Sequence, residues 1–298
     1  MELKLKSTGS TNEFISWLKG FKDIESSLLL EVDLKTNEFI AKSFPAEKSV
    51  VKYSKINFET AGYEFVYLKD NQGNDIEELT ETSENRIKVG LLNILPKVIN
   101  VTNMFSQTDH DLIIEFNLCN NVVYATYPQT DNANSVKEYQ GMFLKLISKS
   151  LTMSVRCSEI SKNFQKCTDE VFLTKACYIG NPATYEISTE TLSNLSKITA
   201  LFSSDERDKI KFYSKEVDGH VALFAYDESN GSYDYLLGYY VSGSSEKTAV
   251  IIFKENFLNA TKGLSEEVIN LTLDTAGASR ILIEGGSSKI VVSAVRFS

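Results

Sequence analysis

The residues that most often bind metals or act as nucleophiles are few in this chain of 298 residues. Its four cysteines are Cys119, Cys157, Cys167 and Cys177. They do not form the closely spaced C-x2-4-C pairs of a structural zinc site, and only His110 and His220 could add imidazole ligands. We therefore expect no metal site, and we interpret the cysteines as free thiols in a reducing compartment.

Short motifs of enzyme and nucleotide-binding sites are also missing from the sequence. There is no G-x-x-x-x-G-K-[ST] phosphate loop, no G-x-G-x-x-G after a predicted strand, no H-E-x-x-H and no G-x-S-x-G. Aspartate and glutamate are abundant but form no cluster with active-site spacing, so acid–base chemistry would depend on scattered carboxylates. The sequence predicts neither an enzyme nor a cofactor.

Lysines on predicted helices are the remaining residues that could carry a function. The first helix follows a possible cap at residues 10–12, and its apolar residues Phe14, Trp17, Leu18 and Phe21 recur at i, i+3, i+4 and i+7. Such spacing places one apolar stripe against a sheet. Lysines off that stripe are then turned away from the sheet.

Three further helices repeat this arrangement, at residues 93–105, after a cap at 188–190, and at 254–263. Their inward residues are predicted to be Leu95, Val98, Ile99, Thr102, Phe105, Leu192, Leu195, Ile198, Leu201, Phe202, Phe257 and Leu258. The lysines on the outward flanks of the four helices are Lys19, Lys22, Lys97, Lys197, Lys254 and Lys262. An ordinary solvated helix face would explain any one of them, whereas recurrence in all four helices indicates a shared role.

Each helix lies between strand-like segments, so that a β-α-β-β-β unit occurs four times. In the last unit, AVIIF (249–253) precedes the helix, and VINLTLD (268–274), SRILIEGG (279–286) and KIVVSAV (289–295) follow it. We predict an α+β fold of duplicated units with antiparallel sheets. One such unit cannot bury its apolar face alone, so copies must pack side by side.

The domain prediction follows from the repeat: two units in residues 1–157 and two in 183–298, joined by a connector at 158–182. Residues 67–86 are polar and acidic, and we expect a surface loop there.

Local patterns give three further expectations. MELKLK (1–6) alternates like an edge strand, and DLIIEFNL (111–118) and NVVYATY (121–127) are predicted as separate strands. Asp-Gly at 218–219 and Asn-Gly at 230–231 predict hairpins with type I′ turns, because both central residues then need positive φ.

Charge and hydropathy limit the functional classes. The formal net charge is −9 and the pI about 5.0, which argues against a basic outer surface that coats nucleic acid but permits cations confined to one inner face. No apolar stretch has the length of a membrane span, and the amino terminus has no apolar signal segment. We expect a soluble intracellular protein.

In the order and spacing of these elements, the chain resembles the sliding DNA clamps of the two-domain type, proliferating cell nuclear antigen and the phage clamps. The likeness is greatest in FLNATKGLSEEVINLTLD with SRILIEGGSSKIVVSAV after it. It extends to WLKGFKDIESSLLLEVDL, NEFIAKSFPAEKSVVKYSKINF and LPKVINVTN, and covers nearly the whole chain. The acidic 67–86 segment and the long connector depart from the family pattern.

The resemblance implies a ring with helices inside and sheets outside. The six lysines would then attract DNA phosphates without base contacts, beside the neutral residues Asn100, Asn194 and Asn259, and such binding permits sliding. The four units of one chain are too few to close such a ring, so the resemblance implies a homotrimer. Closure would pair edge strands at 151–157 and 233–241 between chains, with the interface residues Met153, Val155, Tyr235, Leu237 and Tyr239. Alternatively, the tyrosines and leucine belong to the core of the third unit.

Partner proteins of the family insert a short apolar peptide under the connector and beside the carboxyl terminus. The matching residues here are Phe44, Pro45, Val171, Phe172, Leu173, Val295 and Phe297. The implied partners are duplex DNA, DNA polymerase and a clamp loader.

Three hypotheses for the function follow. The first is a homotrimeric clamp that tethers DNA polymerase and other replication factors at replicating DNA. The second is a viral structural or interaction protein that uses the same duplicated sheet without encircling DNA. The third, a monomeric processivity factor, needs a concentrated basic face that the charge balance disfavours. The extra loop and the weak likeness to any one branch favour a virus or phage as the source.

Overall fold

The structure is a computed structural model, and the residues that it describes are 2–24, 28–43, 49–70, 72–76, 86–91, 95–108, 115–125, 137–147, 152–157, 168–201, 208–227, 233–244, 249–264, 266–275 and 280–295. The helices are α1 (Asn12–Lys22), α2 (Phe58–Ala61), α3 (Leu95–Thr108), α4 (Asp169–Val171) with a π-helical turn (Phe172–Ala176), α5 (Thr189–Leu201) and α6 (Lys254–Thr261).

The strands are β1 (Glu2–Ser7), β2 (Leu28–Asp33), β3 (Glu38–Ser43), β4 (Val50–Asn57), β5 (Tyr63–Lys69), β6 (Arg86–Leu91), β7 (Glu115–Ala125), β8 (Lys137–Ile147), β9 (Thr152–Arg156), β10 (Pro182–Ser188), β11 (Lys209–Val217), β12 (His220–Asp227), β13 (Tyr233–Gly243), β14 (Ala249–Phe253), β15 (Val268–Asp274), β16 (Arg280–Gly285) and β17 (Ser288–Ser293). The four longer helices each lie between one strand and a run of three, in the predicted order. The α+β fold with mainly antiparallel sheets is confirmed.

The chain divides into two compact units. Unit 1 comprises Met1–Leu18, Ser26–Ile40 and Ile56–Lys162, and unit 2 comprises Lys19–Glu25, Ala41–Lys55 and Asn163–Ser298. Both units are discontinuous in sequence. The division into domains at residues 158–182 stays a prediction.

Unit 1 contains a five-stranded sheet in the order β5-β1-β7-β8-β9, and β2 pairs separately with β6. Strand β1 pairs with β5 on one side and β7 on the other, so the expectation of an edge strand at residues 1–6 is wrong. The alternation of residues in β1 shows only that one face of the strand is buried. Strands inside a sheet and strands at its edge can both have one buried face. Strand β7 is continuous and pairs with β8 from Glu115 to Ala125, so the two strands predicted there are one.

Unit 2 contains antiparallel strands in the order β14-β11-β12-β13-β10-β15-β16-β17-β4. Asp218 and Gly219 have φ values of 52° and 78° between β11 and β12, which confirms the positive φ at both central residues of the predicted turn. Residues 230–231 lie outside the described residues. The unit has one apolar core, in which the rings of Phe212 in β11 and Phe257 in α6 are 4.9 Å apart.

The acidic segment begins later than predicted, because Tyr67, Leu68 and Lys69 belong to β5 and pair with β1. Asp70 then closes a turn. Its carboxylate accepts hydrogen bonds from the main chain of Gln72 and Asn74, which together with the amide of the Asn74 side chain lowers the pKa of Asp70. Residues 77–85 lie outside the described residues.

Candidate nucleic-acid interface

Helices α1 and α3 present lysines on the faces opposite their buried stripes. In α1 the predicted stripe of Phe14, Trp17, Leu18 and Phe21 is buried, and Lys19 and Lys22 are exposed. In α3 the buried residues are Leu95, Val98, Ile99 and Thr102, and Lys97 is exposed. The 3.6-residue period predicted the orientation of both helices correctly in their described side chains.

Helix α5 follows the same rule along most of its length. Leu192 and Leu195 are buried and Lys197 is exposed, as predicted. Leu201, predicted to face inward, is 83% exposed. The last inward position belongs to Thr199, whose hydroxyl shares a hydrogen bond of 2.9 Å with the hydroxyl of Tyr233. Leu201 is the final residue of the helix and lies two positions past that stripe.

Lys262 follows the end of α6 and is exposed, but it already has protein partners. Its amine lies 2.6 Å from Oδ2 of Asp23 and 3.2 Å from Oδ1 of Asn259. The amide of Asn259 also donates to the main-chain oxygen of Asp23. Phosphate contacts by Lys262 therefore compete with one carboxylate.

Lys254 does not contribute to an exposed face, and its prediction as a DNA contact is wrong. Its amine is buried, 2.5 Å from Oδ2 of Asp227 and 3.7 Å from Oδ2 of Asp208. The sequence contained the signal: Lys254 lies three residues before Phe257, and residues at i and i+3 share a helix face. Because Phe257 is buried in the core, Lys254 must be buried as well.

The three asparagines that were predicted to lie beside the lysines differ in exposure. Asn100 is exposed, whereas Asn194 and Asn259 are half-buried. The described exposed faces thus carry five of the six predicted lysines, with Glu13, Asp23, Glu190 and Glu255 among the exposed acids of the same helices. The positive charge is diffuse, which suits attraction to phosphates more than recognition of bases.

The two strands predicted to lie at subunit edges differ. Among the described strands, β9 pairs only with β8, and Met153 and Val155 in it are half-buried. Strand β13 lies inside a sheet, paired with β12 over Tyr233–Tyr239 and with β10 over residues 238–243. The prediction of an edge over the whole of 233–241 is therefore wrong: among the described strands, residues 233–237 pair with β12 alone and Tyr240 pairs with β10 alone.

The residues of β13 that were predicted to lie at a subunit interface differ in burial. Leu237 is buried in the core of unit 2, and Tyr235 packs against that core, so the alternative interpretation holds for this pair. Tyr239 is 51% exposed, with the ring of His220 edge-on to it at 6.5 Å.

The residues predicted to line a peptide groove are only partly described. Phe44, Pro45 and Phe297 lie outside the described residues, while Val171 and Val295 are half-buried. Leu173 is 38% exposed. Phe172 is fully buried, so it is unavailable as a surface contact in this conformation.

The burial of Phe172 has a local cause. Its ring packs on Tyr53 of β4, with 5.4 Å between centroids. One helical turn earlier, Asp169 accepts a hydrogen bond from Tyr53 and lies 2.5 Å from the buried amine of Lys42. Residues 169–172, in the predicted connector, are therefore anchored by an ion pair and an aromatic contact, which the mixed composition of this stretch did not predict.

Sequence patterns also missed Lys52, which is buried in β4. Its amine donates to main-chain oxygens of Gly20 and Lys262. Alternation in VVKYSK gave no sign that this lysine would point inward. In the described part of the chain, no three His, Cys, Asp or Glu residues converge as metal ligands, and no helix there is long and apolar enough to cross a membrane.

No protein-family model and no curated protein matches the sequence. Solved structures do match. A chain of the PCNA2–PCNA3 complex from Sulfolobus tokodaii superposes with a TM-score of 0.57 at 13% identity. Proliferating Cellular Nuclear Antigen from Entamoeba histolytica gives 0.60 at 11%, and A. fulgidus PCNA, bound to the C-terminal region of FEN-1, gives 0.60 at 10%. Each match covers 99% of both chains. The chain has the fold of the PCNA-type sliding clamps over its whole length.

Proposed function

We propose that this chain is a sliding clamp, which encircles duplex DNA as a homotrimer and tethers DNA polymerase and other replication factors. The observation that carries the proposal is the placement of Lys19, Lys22, Lys97, Lys197 and Lys262 on exposed helix faces of a clamp fold whose net charge is −9. The recurrence of exposed lysines on four helices of an acidic protein favours a shared anionic ligand on these faces.

The arrangement suits mobile binding. Exposed ammonium groups on separate helices attract phosphates wherever these lie, and no described group on these faces points to recognition of a particular base. Phosphate attraction of this kind is independent of sequence and weakens with salt because bound counterions are released. A clamp held in this way keeps its position around the duplex by topology and moves along it freely.

Self-association would close the ring. Among the described strands, β9 ends its sheet, and residues 233–237 of β13 pair with β12 alone. Main-chain pairing between these two segments of adjacent chains would satisfy both of them head to tail. The Sulfolobus tokodaii structure is a PCNA2–PCNA3 complex, which supports association between clamp chains.

Partners would bind through short peptides. The A. fulgidus relative holds the C-terminal region of FEN-1, which supports peptide-mediated tethering here. In this chain the half-exposed Leu173 and the half-buried Val171 and Val295 are the described residues proposed for such a site. DNA polymerase and a clamp loader are the proposed partners, at replicating DNA.

Two measurements test the function. Light scattering should give a mass about three times the 33.4 kDa of one chain, and a mass of one chain at micromolar concentration would contradict the ring. Loaded on a nicked circular duplex, the protein should stay bound through gel filtration at moderate salt, and cutting the circle once should release it. Release that does not depend on cutting would instead favour the interaction protein that does not encircle DNA.

A further inference from the structure

The C-terminal ends of α1 and α6 meet around the amine of Lys52, in unit 2. Lys52 is 2% exposed. Its Nζ donates to the main-chain oxygen of Gly20 at 2.8 Å and to that of Lys262 at 2.9 Å. Gly20 lies in the last turn of α1, and Lys262 is the C-terminal cap residue of α6. One amine thus satisfies a main-chain oxygen at the end of each helix.

Lys52 places a hydrogen-bond donor between the two helix ends. The carboxyl end of a helix carries partial negative charge, so two such ends in proximity repel each other. The ammonium of Lys52 offsets both charges at once, and the ring of Phe21, 5.0 Å from Nζ, adds a cation–π contact. An apolar side chain of the same length could fill the volume but would leave both oxygens without a donor.

Gly20 makes room for this arrangement. A Cβ at position 20 would lie 2.9 Å from Nζ of Lys52 and 2.9 Å from the main-chain oxygen of Lys262. Both distances are shorter than carbon atoms tolerate. Even alanine at position 20 would therefore displace the amine or separate the helix ends.

A second set of contacts joins the same helix ends. Asn259 donates its side-chain amide to the main-chain oxygen of Asp23, and the amine of Lys262 pairs with the Asp23 carboxylate. Lys52 thus bonds to the main chain at Gly20, close to Lys19 and Lys22 of α1, and at Lys262 itself. These are three of the five exposed lysines assigned to DNA.

We propose that Lys52 is a positioning residue of the DNA-binding face, because it fixes the helix ends that carry Lys19, Lys22 and Lys262. The proposal rests on the proposed function. Lys52 itself makes no phosphate contact, since its amine is buried and both of its hydrogen bonds go to main-chain oxygens.

The charge of the amine changes close to neutral pH. Burial lowers the pKa of Lys52 to about 7, and the carboxylate of Glu266 opposes this effect. The other titratable groups at these helix ends are Lys19, Lys22, Asp23 and Lys262, of which Asp23 and Lys262 pair with each other. The folded protein therefore favours the neutral amine more than the unfolded chain does, and the neutral amine still has two N–H groups, one for each main-chain oxygen.

The test compares Lys52→Met and Gly20→Ala with Lys215→Met, which removes a half-buried lysine of β11 whose amine pairs with Asp234 of β13. Amide hydrogen exchange at the ends of α1 and α6 should accelerate at least about tenfold in the first two variants and stay unchanged in the third. Affinity for a short duplex should fall about three- to tenfold in the first two only.

Unchanged exchange at the helix ends in Lys52→Met would overturn the proposal, as would a DNA affinity equal to that of Lys215→Met. If the first two variants fail to fold, NMR of the Lys52 amine in the wild type decides, and amine protons that exchange with water as fast as those of an exposed lysine would also overturn the proposal. If the wild type binds no duplex at all, the proposed function fails and the role of Lys52 in DNA binding fails with it. The exchange data would then show separately whether Lys52 orders the helix ends.

Discussion

Nζ of Lys254 and Oδ2 of Asp227 lie 2.5 Å apart, and each side chain is only 1% exposed. Lys254 is the first residue of α6, where the positive end of the helix dipole disfavours a cation. The carboxylates of Asp227 and Asp208 compensate for that position. This lysine therefore serves the stability of unit 2, and DNA has no access to it.

Changing Lys254 to Met should destabilise the protein by about 3–5 kcal/mol, because Asp227 would lose the ammonium that lies against its buried carboxylate. Urea unfolding measures the loss. Lys254→Met/Asp227→Asn, which removes both charges, should lose less than the single variant. Under conditions where Lys254→Met is folded, its DNA affinity should equal that of the wild type. A drop like that of an exposed lysine would restore the original assignment.

Lys97→Met and Lys197→Met should each weaken DNA binding and reduce the slope of log K against log salt by about 1 or less, because each removes one counterion-releasing contact. Fluorescence anisotropy over a salt series measures both quantities. Lys215→Met is the matched control, since it removes one charge from a strand. Equal slopes for all three variants and the wild type would contradict a DNA-binding role for these helix faces.

Asp23→Asn should strengthen DNA binding by about two- to fivefold at low salt. The carboxylate of Asp23 lies 2.6 Å from the amine of Lys262, so its removal releases that lysine and deletes one repulsive charge. The gain should disappear at high salt and in the Lys262→Met background. A gain that persists without Lys262 would show that general repulsion, and not competition for this amine, is responsible.

Phe172→Ala and Leu173→Ala should separate stability from partner binding. Phe172 is fully buried against Tyr53, and its truncation should cost about 3–5 kcal/mol of unfolding free energy. Leu173 is 38% exposed, so its truncation should cost less than about 1 kcal/mol while weakening capture of partner peptides. Calorimetry and peptide binding measure the two effects. An unchanged peptide affinity in Leu173→Ala would remove this residue from the groove.

The stability of the wild type relative to Lys52→Met should rise with pH between about 7 and 10.5. The pKa of Lys52 is about 7 in the folded protein and 10.5 ordinarily, so the unfolded chain binds more protons throughout that window. In the wild type, the stability contributed by Lys52 is fully present above about pH 10.5, decreases as the pH falls and is lost once the pH passes about 7. Urea unfolding at several pH values should show a difference that increases by at most about 1.4 kcal/mol per pH unit. If the unfolding free energies of the two proteins changed with pH in the same way, this prediction would be wrong.

Periodicity predicted the elements of this chain well, because it reports which side of a helix or strand is buried. Strands β14 and β15 have the predicted limits, and the apolar stripe of α1 is buried as expected. Periodicity carries no information about neighbours, however. The pattern of β1 therefore suggested an edge, although the strand pairs on both sides.

The sequence by itself determined the order of the four repeated units, the outward direction of Lys19, Lys22, Lys97 and Lys197, and the resemblance to clamps. These follow from local spacing, which fixes burial within one element. Only the tertiary structure decided the roles of Lys42, Lys52 and Lys254. Each amine meets its partner from a segment distant in sequence: Asp169, the Gly20 and Lys262 oxygens, and Asp227. A buried and an exposed lysine look identical in sequence until the fold brings a carboxylate or a helix end to the amine.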